Sequence, residues 1–430
     1  MRRPRLPQLL YDRIFRRFWL GQTVSLFGDQ VSLFAIPLVA VLILHAQPAE
    51  MGYLTAAGVL PSLLFSLHAG AWIDRRGRRR HTMLASDLAR AALLTTVPIA
   101  YALGLLSLMQ LYIVTFIIGF FDVLFFVSYS TLFVSIVRPD DYLQGNSLLN
   151  GSRAMSFVGG QSLAGVLVSI LTAPVALLAD ALSFLVSAFC LSRIYPEEPA
   201  AADPGPGQVT AGIRFIVHSS IVRSALGATA TVNYFNFVFY ALFTLYAVRS
   251  LGVQPLLLGI VLSMGAVGGL AGSVLTGPLS RAIGVGRAFM LSCVLFPAPL
   301  ILVPAASGHG TGRLVFLFLA ELGSGLGVMI LDITAGTMFA AVIPDTIRAS
   351  VSGAYRMVNY GMRPLGALTG GFLGATVGVR PTLWFAAIGG IFCVLWVLFS
   401  PIPGMQLGQD STKSEEDVVE NRPVATAARG

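Results

Sequence analysis

The sequence predicts an all-α polytopic membrane protein, with twelve transmembrane helices in two pseudo-symmetric bundles of six. Hydrophobic residues make up 55% of the 430 residues and charged residues only 11%. The mean hydropathy is +0.78, and long apolar runs alternate with short stretches rich in charge, Pro or Gly. An ordinary soluble domain has roughly a quarter of its residues charged, so a soluble globule is excluded.

Each apolar run is long enough for a membrane helix, because a bilayer core of roughly 30 Å needs about 20 residues. The predicted spans are residues 18–44, 51–73, 82–104, 108–136, 146–170, 174–194, 221–248, 255–279, 286–306, 313–341, 350–377 and 381–400. An even number of spans places both termini on the same side of the membrane.

The spans divide the chain into five predicted regions. These are a basic N-terminus 1–17, a first bundle 18–194, a linker 195–220, a second bundle 221–400 and a tail 401–430. The linker contains Asp203–Gly207, whose prolines and glycines cannot continue a helix. After it, Ile213–His218 is predicted to be an amphipathic helix at the membrane interface. The polar tail is predicted to be disordered.

Arginine placement predicts the orientation, because Lys and Arg near membrane ends are retained in the cytoplasm. Six arginines precede the first span and five follow the second, whereas loops on the other side contain only Arg249, Arg313 and Arg380. Both termini are therefore predicted to be cytoplasmic. Arginine used almost to the exclusion of lysine, with abundant Ala and Gly, is typical of GC-rich bacterial genomes. The predicted location is the bacterial cytoplasmic (inner, or plasma) membrane.

Composition excludes several functional classes. Lys413 is the only lysine and Thr412 precedes it, so the Gly-Lys pair of a phosphate-binding P-loop is absent from the sequence. Energy for any work across the membrane must then come from elsewhere, and an ion gradient is the natural candidate. The net charge of +8 lies at the ends of apolar runs, so no nucleic-acid partner is predicted. The three cysteines have no metal-ligand spacing, and no metal or cofactor is predicted.

The sequence predicts no enzyme. A polytopic membrane enzyme, such as an acyl or glycosyl transferase, would need clustered His, Asp or Glu at the membrane face. The histidines are instead scattered, at His45, His68, His81, His218 and His309.

A distinctive motif lies between the second and third predicted spans. Gly77 permits a tight turn with positive φ, and Gly70 allows close helix approach. Asp74 can bind a helix N-terminus or an arginine of the other half. A gating role is therefore predicted for Gly70, Asp74, Arg75, Gly77 and Arg78; the alternative is a group of arginines that only fixes topology. The motif reads Gly70-Ala71-Trp72-Ile73-Asp74-Arg75-Arg76-Gly77-Arg78-Arg79.

This motif resembles the loop signature of the major facilitator superfamily. Other stretches resemble the branch of bacterial enterobactin exporters and macrolide efflux proteins, namely Phe18–Gln22, Ser25–Gln30, Asn146–Leu148, Leu178–Ser187 and Arg363–Gly366. The resemblance implies a twelve-helix fold, alternating access and export of amphipathic compounds driven by inward proton flow. Gln161 departs from it, because drug–proton antiporters of the superfamily have a Gly-Pro pair there. The fourth span also lacks the arginine of many relatives and has Asp122 instead.

Ionisable residues inside the spans are functional candidates, because each is costly in hydrocarbon unless it faces a wet cavity or a partner. Asp29 and Asp122, near the middle of the first and fourth spans, are predicted to bind a proton or a cationic substrate, since burial favours a protonated carboxyl group. A static pair of Asp122 with Arg153 is the alternative. The complete predicted set is Asp29, Asp122, Arg153, Glu321, Asp332, Arg356 and Arg363.

Several other polar residues have two interpretations. Glu321 and Asp332 lie about three turns apart on one helix face, and an ion pair with Arg356 or Arg363 is as plausible as a coupling role. Structural roles are favoured for Asp87, Arg90 and Asp180. Residues predicted to line the substrate cavity are Gln161, Asn233 and Asn236, while the aromatic stretch Tyr234–Tyr240 either stacks on substrate or packs.

Taken together, these features predict a proton-coupled secondary exporter, an antiporter of the drug-resistance type. Uptake or facilitated diffusion by the same fold is the alternative, and a scaffold without transport activity is the third option. The expected substrate of the exporter is a small amphipathic compound, such as a drug, a siderophore or a natural product. The other expected partners are protons and the lipid bilayer, and the chain is expected to function as a monomer.

Overall fold

The computed structural model describes residues 8–195, 208–306 and 310–405, and within these ranges the chain is helical and contains no β-strand. The helices are α1 Arg13–Leu38, α2 Pro48–Arg76, α3 Arg79–Ala102, α4 Leu108–Ile136, α5 Tyr142–Leu171, α6 Ala173–Ser192, α7 Gln208–His218, α8 Ser220–Leu245, α9 Pro255–Ile283, α10 Val285–Leu295, α11 Leu302–Ala305, α12 Gly312–Val342, α13 Arg348–Thr376, α14 Val379–Ile391 and α15 Val394–Leu398. Residues 1–7 of the predicted basic N-terminus, 196–207 of the linker and 406–430 of the predicted disordered tail lie outside the described residues.

Ten helical segments of the described chain are long and apolar enough to cross a membrane. Two of them join consecutive helices, because Val285–Ala305 contains α10 and α11, and Val379–Leu398 contains α14 and α15. Helices α2 and α13 are not among the ten, although each is 29 residues long. The prediction of an all-helical polytopic fold is confirmed, and the count of twelve spans stays a prediction that depends on α2 and α13.

The two halves of the chain repeat backbone features about 207 residues apart. Both α1 and α8 continue into a π-helical turn, at Val39–Ile43 and Tyr246–Ser250 respectively. Positive φ angles recur in three matching pairs, which are His45 (53°) with Gly252 (62°), Gly77 (61°) with Gly284 (88°), and Thr172 (80°) with Gly378 (104°). Such angles are uncommon outside glycine, so these matches indicate that the two halves follow the same path.

Arginines stabilise the end of α6 on the side of the bundle that carries the N-terminus, here called the N-terminal face. Arg80, at the start of α3, donates through Nε to the Leu191 carbonyl oxygen and through Nη2 to that of Ser192, both at 2.9 Å. Arg17 on α1 donates to the Arg193 carbonyl oxygen at 2.8 Å. The last carbonyl groups of a helix lack helical partners and favour nearby cations.

The two halves touch closely near the other side of the bundle, here called the opposite face. There α2 packs against α13, and α5 packs against α9. A methyl group on Gly52 of α2 would lie 2.7 Å from the Cα of Gly371 on α13, and one on Gly165 of α5 would lie 2.9 Å from the Pro255 carbonyl oxygen. Glycine at these positions therefore allows the backbones of the two halves to meet.

Candidate functional site

A cavity between the two halves has two adjoining lobes, and both lobes are lined by Asp29 and Asp122. The N-terminal lobe has a volume of about 520 Å³ and is lined from α1, α2, α3, α4, α5 and α13. The opposite lobe has a volume of about 620 Å³ and is lined from α1, α2, α4, α5, α6, α8 and α9. Pockets for small organic ligands span roughly 300–1,000 Å³, so each lobe is large enough for one.

The N-terminal lobe opens toward the N-terminal face. Gly353 of α13 lines this lobe, and a methyl group on it would meet no atom within 4 Å. Arg153 on α5, with Arg356 and Met357 on α13, also lines the lobe, and all three side chains are exposed. The halves are thus separated here and joined near the opposite face.

An arginine on α3 organises the acidic side of this cavity. Arg90 is 3% exposed and donates through Nη1 to Oδ1 of Asp122 at 2.6 Å and through Nη2 to Oδ1 of Asp87. Its guanidinium carbon lies 4.5 Å from the ring centre of Phe125 and 4.1 Å from that of Phe184. The carboxylates and the ring faces together stabilise the buried cation.

Two further aspartates, Asp29 and Asp180, lie near Asp87 and Asp122. Asp180 on α6 is 1% exposed, and its carboxylate accepts hydrogen bonds from Ser32 on α1 and, at 2.9 Å, from Ser183. Asp29 on α1 is half-buried and lines the opposite lobe together with Asp180. We call Asp29, Asp87, Asp122 and Asp180 the acidic wall.

The acidic wall has more carboxylates than cations. Within the described residues, Arg90 is the only cation in an ion pair with the wall, and it pairs with Asp87 and Asp122. Oδ2 of Asp87 is buried without a hydrogen-bond partner in this part of the chain. Buried carboxylates in excess are balanced by protons or by a bound cation. The arrangement can therefore bind protons, a cationic ligand, or both in turn.

The predicted static pair of Asp122 with Arg153 is wrong, because Asp122 pairs with Arg90 of the adjacent helix α3. Arg153 instead lines the N-terminal lobe, as does Arg356 of α13. The structure thus brings Asp29, Asp122, Arg153 and Arg356 to one cavity, as four of the seven predicted coupling or substrate residues.

The predicted ion pairs of Glu321 and Asp332 are also not observed among the described residues. Glu321 is 3% exposed and accepts a hydrogen bond from the hydroxyl of Tyr240 at 3.3 Å. Asp332 is exposed and lies outside both lobes. The two acids share a helix, but only Glu321 faces the packed interior of the second half.

Arg363 belongs to a polar cluster in the second half. Arg363, Asn233 and Asn359 line neither lobe, whereas Tyr360 beside them lines the N-terminal lobe. Its Nε donates to Oδ1 of Asn233 at 3.2 Å, and Asn233 donates to Oδ1 of Asn359 at 3.2 Å. The ring of Tyr360 lies 4.6 Å from the Arg363 guanidinium carbon. Asn236 lines only a small void between α8, α10 and α14. Neither asparagine therefore lines the large cavity, contrary to the prediction.

Gln161 lines the opposite lobe, and its contact with substrate stays a prediction. Its Nε2 donates to Oε1 of Gln30 at 3.4 Å, and its own Oε1 is buried without a partner in the described chain. The neighbouring Ser162 is hydrogen-bonded to Ser263 of α9, with 2.7 Å between the two Oγ atoms. Gln161 thus lies where the halves meet.

The loop motif has one feature predicted from its glycines. Gly77 ends α2 with φ of 61°, as expected for a tight turn. At Gly70 a methyl group would meet no atom within 4 Å, so the expected close helix approach is not observed there. Arg75 and Arg78 are exposed, and the side chain of Asp74 lies outside the described residues. The gating role of the motif stays a prediction.

Sequence reasoning underestimated Arg90, Asp87, Asp180 and Tyr240, all of which lie in or beside the cavity. The signal was present for the charged three, since an intramembrane charge marks a functional candidate whatever its position in a helix. In the described chain, no group of three or more His, Cys, Asp or Glu side chains is arranged to hold a metal ion.

The fold and the cavity define a polytopic membrane transporter, with helices of both halves around a central site. The chain belongs to the Major Facilitator Superfamily, whose sequence model matches residues 18–367 and 226–426. This family and fold are those of transporters and not of enzymes.

Several characterised and uncharacterised relatives match most of the chain. The multidrug efflux pump Tap of Mycolicibacterium fortuitum is 23% identical over 380 residues, covering 83% of this chain and 88% of that protein. Tap of Mycobacterium tuberculosis H37Rv is 24% identical over 389 residues, covering 84% and 87%. The uncharacterized MFS-type transporter YfiS of Bacillus subtilis is 24% identical over 374 residues, covering 84% and 86%.

Solved structures share the fold. A mutant of the nucleoside transporter NupG superposes with a TM-score of 0.74 at 11% identity, covering 90% of this chain and 99% of that one. A bacterial homologue of the iron transporter ferroportin, in an inward-facing state, gives a TM-score of 0.72 at 18% identity, covering 90% and 98%. These likenesses establish architecture alone.

Proposed function

We propose that this protein is a proton-coupled secondary transporter that exports a small amphipathic compound by alternating access. The observation that carries the proposal is the acidic wall, which lines a cavity between two halves of a superfamily transporter and contains more carboxylates than cations. Such a wall binds positively charged species, and a cationic substrate and protons are the two candidates.

The remainder of the cavity surface suits an amphipathic compound. Phe237 and Phe243 of α8 line the opposite lobe, facing the side that carries Asp29 and Asp180. A ligand with an apolar body and a positively charged group matches this combination of ring faces and carboxylates. The similarity to the multidrug efflux pump Tap supports a drug or natural product as substrate.

The direction of transport follows from the predicted orientation. If both termini are cytoplasmic, the N-terminal lobe opens to the cytoplasm, where an exporter loads its substrate. Closing this lobe and separating Gly52 from Gly371 would expose the site on the other side. Uptake by the same fold is the alternative, since Gln161 stands in the place of the proline in the Gly-Pro pair of drug–proton antiporters.

The proposal is tested in proteoliposomes with an imposed pH gradient. The fluorescent cation ethidium and a panel of amphipathic compounds are added, and proton flux is compared between wild type, Asp29→Asn and Asp122→Asn. Asp140→Asn, an exposed change between α4 and α5, is the matched control. We expect compound-dependent proton flux in the wild type and control and its loss in both wall variants. Compound movement without pH dependence would establish facilitated diffusion instead, and accumulation on the other side would establish uptake.

A further inference from the structure

Glu321 is a buried carboxyl group outside the acidic wall, on the other half of the protein. It lies on α12 and is 3% exposed. A methyl group on Gly265 of α9 would lie 3.2 Å from Oε2 of Glu321. The carboxyl group therefore lies directly against the backbone of the neighbouring helix, where a larger residue than glycine would displace it.

The surroundings of Glu321 offer no cation in the part of the chain that the structure describes. Tyr240 on α8 donates its hydroxyl to Oε2, and Oε1 is buried without a partner. Helix α12 packs against α8, α9, α10 and α11. The other charged or titratable side chains of these four helices are not bonded to Glu321; they are Arg223, Tyr234, Arg281, Arg287 and Cys293. A buried carboxylate without a counter-charge is strongly disfavoured, so this side chain needs a proton in this conformation.

The α12 helix itself provides no counter-charge either. Arg313, at the start of α12, donates to the Leu251 carbonyl oxygen. Asp332 lies about three turns after Glu321 and is exposed. Nothing on the same helix therefore balances a negative charge at Glu321.

Tyr240 connects this carboxyl group to the cavity. Its side chain lines the opposite lobe, and its hydroxyl bonds to Glu321 behind that wall. Asp29 and Asp180 line the same lobe. A substrate held by the acidic wall thus shares its lobe with Tyr240, whose side chain lies between Glu321 and the cavity.

We propose that Glu321 holds the coupling proton and exchanges it with cavity water through the Tyr240 position, while Asp29 and Asp122 hold the charge of the substrate. This inference rests on the proposed function and divides its two tasks between the two halves. In the release step the O–H bond of Glu321 breaks and its proton passes to water. In the loading step a proton from water binds the carboxylate, and the side chain returns to its place beneath Tyr240.

The test separates exchange from driven transport in proteoliposomes. Exchange of ethidium between equal concentrations on both sides needs a substrate site, whereas accumulation driven by a pH gradient also needs a proton site. For Glu321→Gln we expect exchange within about twofold of wild type and gradient-driven accumulation lowered at least tenfold. For Asp29→Asn we expect both to fall. Tyr234→Phe is the control for Tyr240→Phe. Tyr234 lies on the same helix as Tyr240, and its substitution removes a hydroxyl that is bonded to Thr369 of α13.

A second variant separates the proton role from simple packing. Glu321→Asp keeps an ionisable group but not the shape, so a proton role predicts more driven accumulation in the Asp variant than in the Gln variant. A packing role predicts the reverse order, which would overturn the proposal. The infrared C=O band of a protonated carboxyl group, which Glu321→Gln should remove, gives a readout independent of transport. Unchanged driven accumulation in Glu321→Gln would also overturn the inference, while a wild type without any pH-driven transport would overturn the proposed function itself.

Discussion

Arg90 of α3 and Asp122 of α4 link the buried and the open parts of the acidic wall. Nη1 of Arg90 lies 2.6 Å from Oδ1 of Asp122, and the two side chains are 3% and 51% exposed, respectively. Asp87, the other partner of Arg90, is fully buried. The arginine therefore presents one carboxylate to the cavity while it neutralises another inside the first half.

Replacing Arg90 should destabilise the first half. Arg90→Gln leaves Asp87 buried without its cation, and breaking a buried pair in this way costs about 3–5 kcal/mol. We expect a clearly lower thermal unfolding temperature in detergent. The double variant with Asp87→Asn should recover part of the loss, because it removes the uncompensated charge. A single variant as stable as wild type would show that Asp87 is not ionised in the native protein.

The acidic wall should select substrates by charge. Removing one carboxylate with Asp29→Asn or Asp122→Asn should weaken the binding of a cation by about fivefold or more, since a charge pair in contact contributes at least about 1 kcal/mol. Ethidium fluorescence measures the cation, and an uncharged aromatic dye of similar size is the comparison. We expect the affinity for the uncharged dye to stay within about twofold. Equal losses for both dyes would mean that the variants disturb the cavity as a whole.

The sequence was sufficient for the architecture because the physical constraint is strong. A lipid-exposed backbone must satisfy its polar groups internally, so long apolar runs such as Leu108–Ile136 have one available structure. The turn at Gly77 was also predictable, since its motif requires a positive φ at that position. The predicted pseudo-symmetry of the two bundles agrees with the matched positive-φ residues of the two halves.

The pairing of charges was not predictable to the same degree. The sequence allows either a proton or substrate role for Asp122 or a static pair with Arg153, and either a coupling role or an arginine partner for Glu321. It does not show which helices are neighbours, so it cannot decide between them. The contact of α3 with α4 brings Arg90 to Asp122, and the contact of α9 with α12 buries Glu321. Periodicity places a residue on a helix face, but only packing between helices decides which other face it meets.

Arg80 should contribute to stability through the end of α6. Its two hydrogen bonds to the Leu191 and Ser192 carbonyl oxygens are both 2.9 Å long, and its guanidinium lies 4.4 Å from the ring centre of Tyr195. Charge-assisted bonds of this kind contribute about 1.5–3 kcal/mol. Arg80→Ala should therefore lower the thermal unfolding temperature more than Arg138→Ala, an exposed change between α4 and α5. Equal shifts would contradict a specific stabilising role of Arg80.

Glycines at the opposite face should control how closely the halves approach. A methyl group on Gly52 would lie 2.7 Å from Gly371, where backbone atoms on both sides cannot give way cheaply. Overpacking of this kind costs about 1–3 kcal/mol, and here the cost falls only on the conformation in which the halves touch. Gly52→Ala should therefore shift the population toward separation at the opposite face. Gly336→Ala, which would meet no atom within 4 Å, is the control.

Labelling gives the measurement for this shift. A cysteine introduced at Tyr53, which is 54% exposed near the opposite face, can be reacted with a membrane-impermeant maleimide. The comparison is made in a background without the three native cysteines, with and without Gly52→Ala, using a second reporter at Gln161 between the halves. Separation at the opposite face should raise the labelling of Gln161→Cys several-fold, because position 161 is covered by the contact between the halves. The labelling of Tyr53→Cys should stay constant, because position 53 is already exposed. Unchanged labelling at Gln161→Cys would mean that the Gly52 contact does not set the balance between the two conformations.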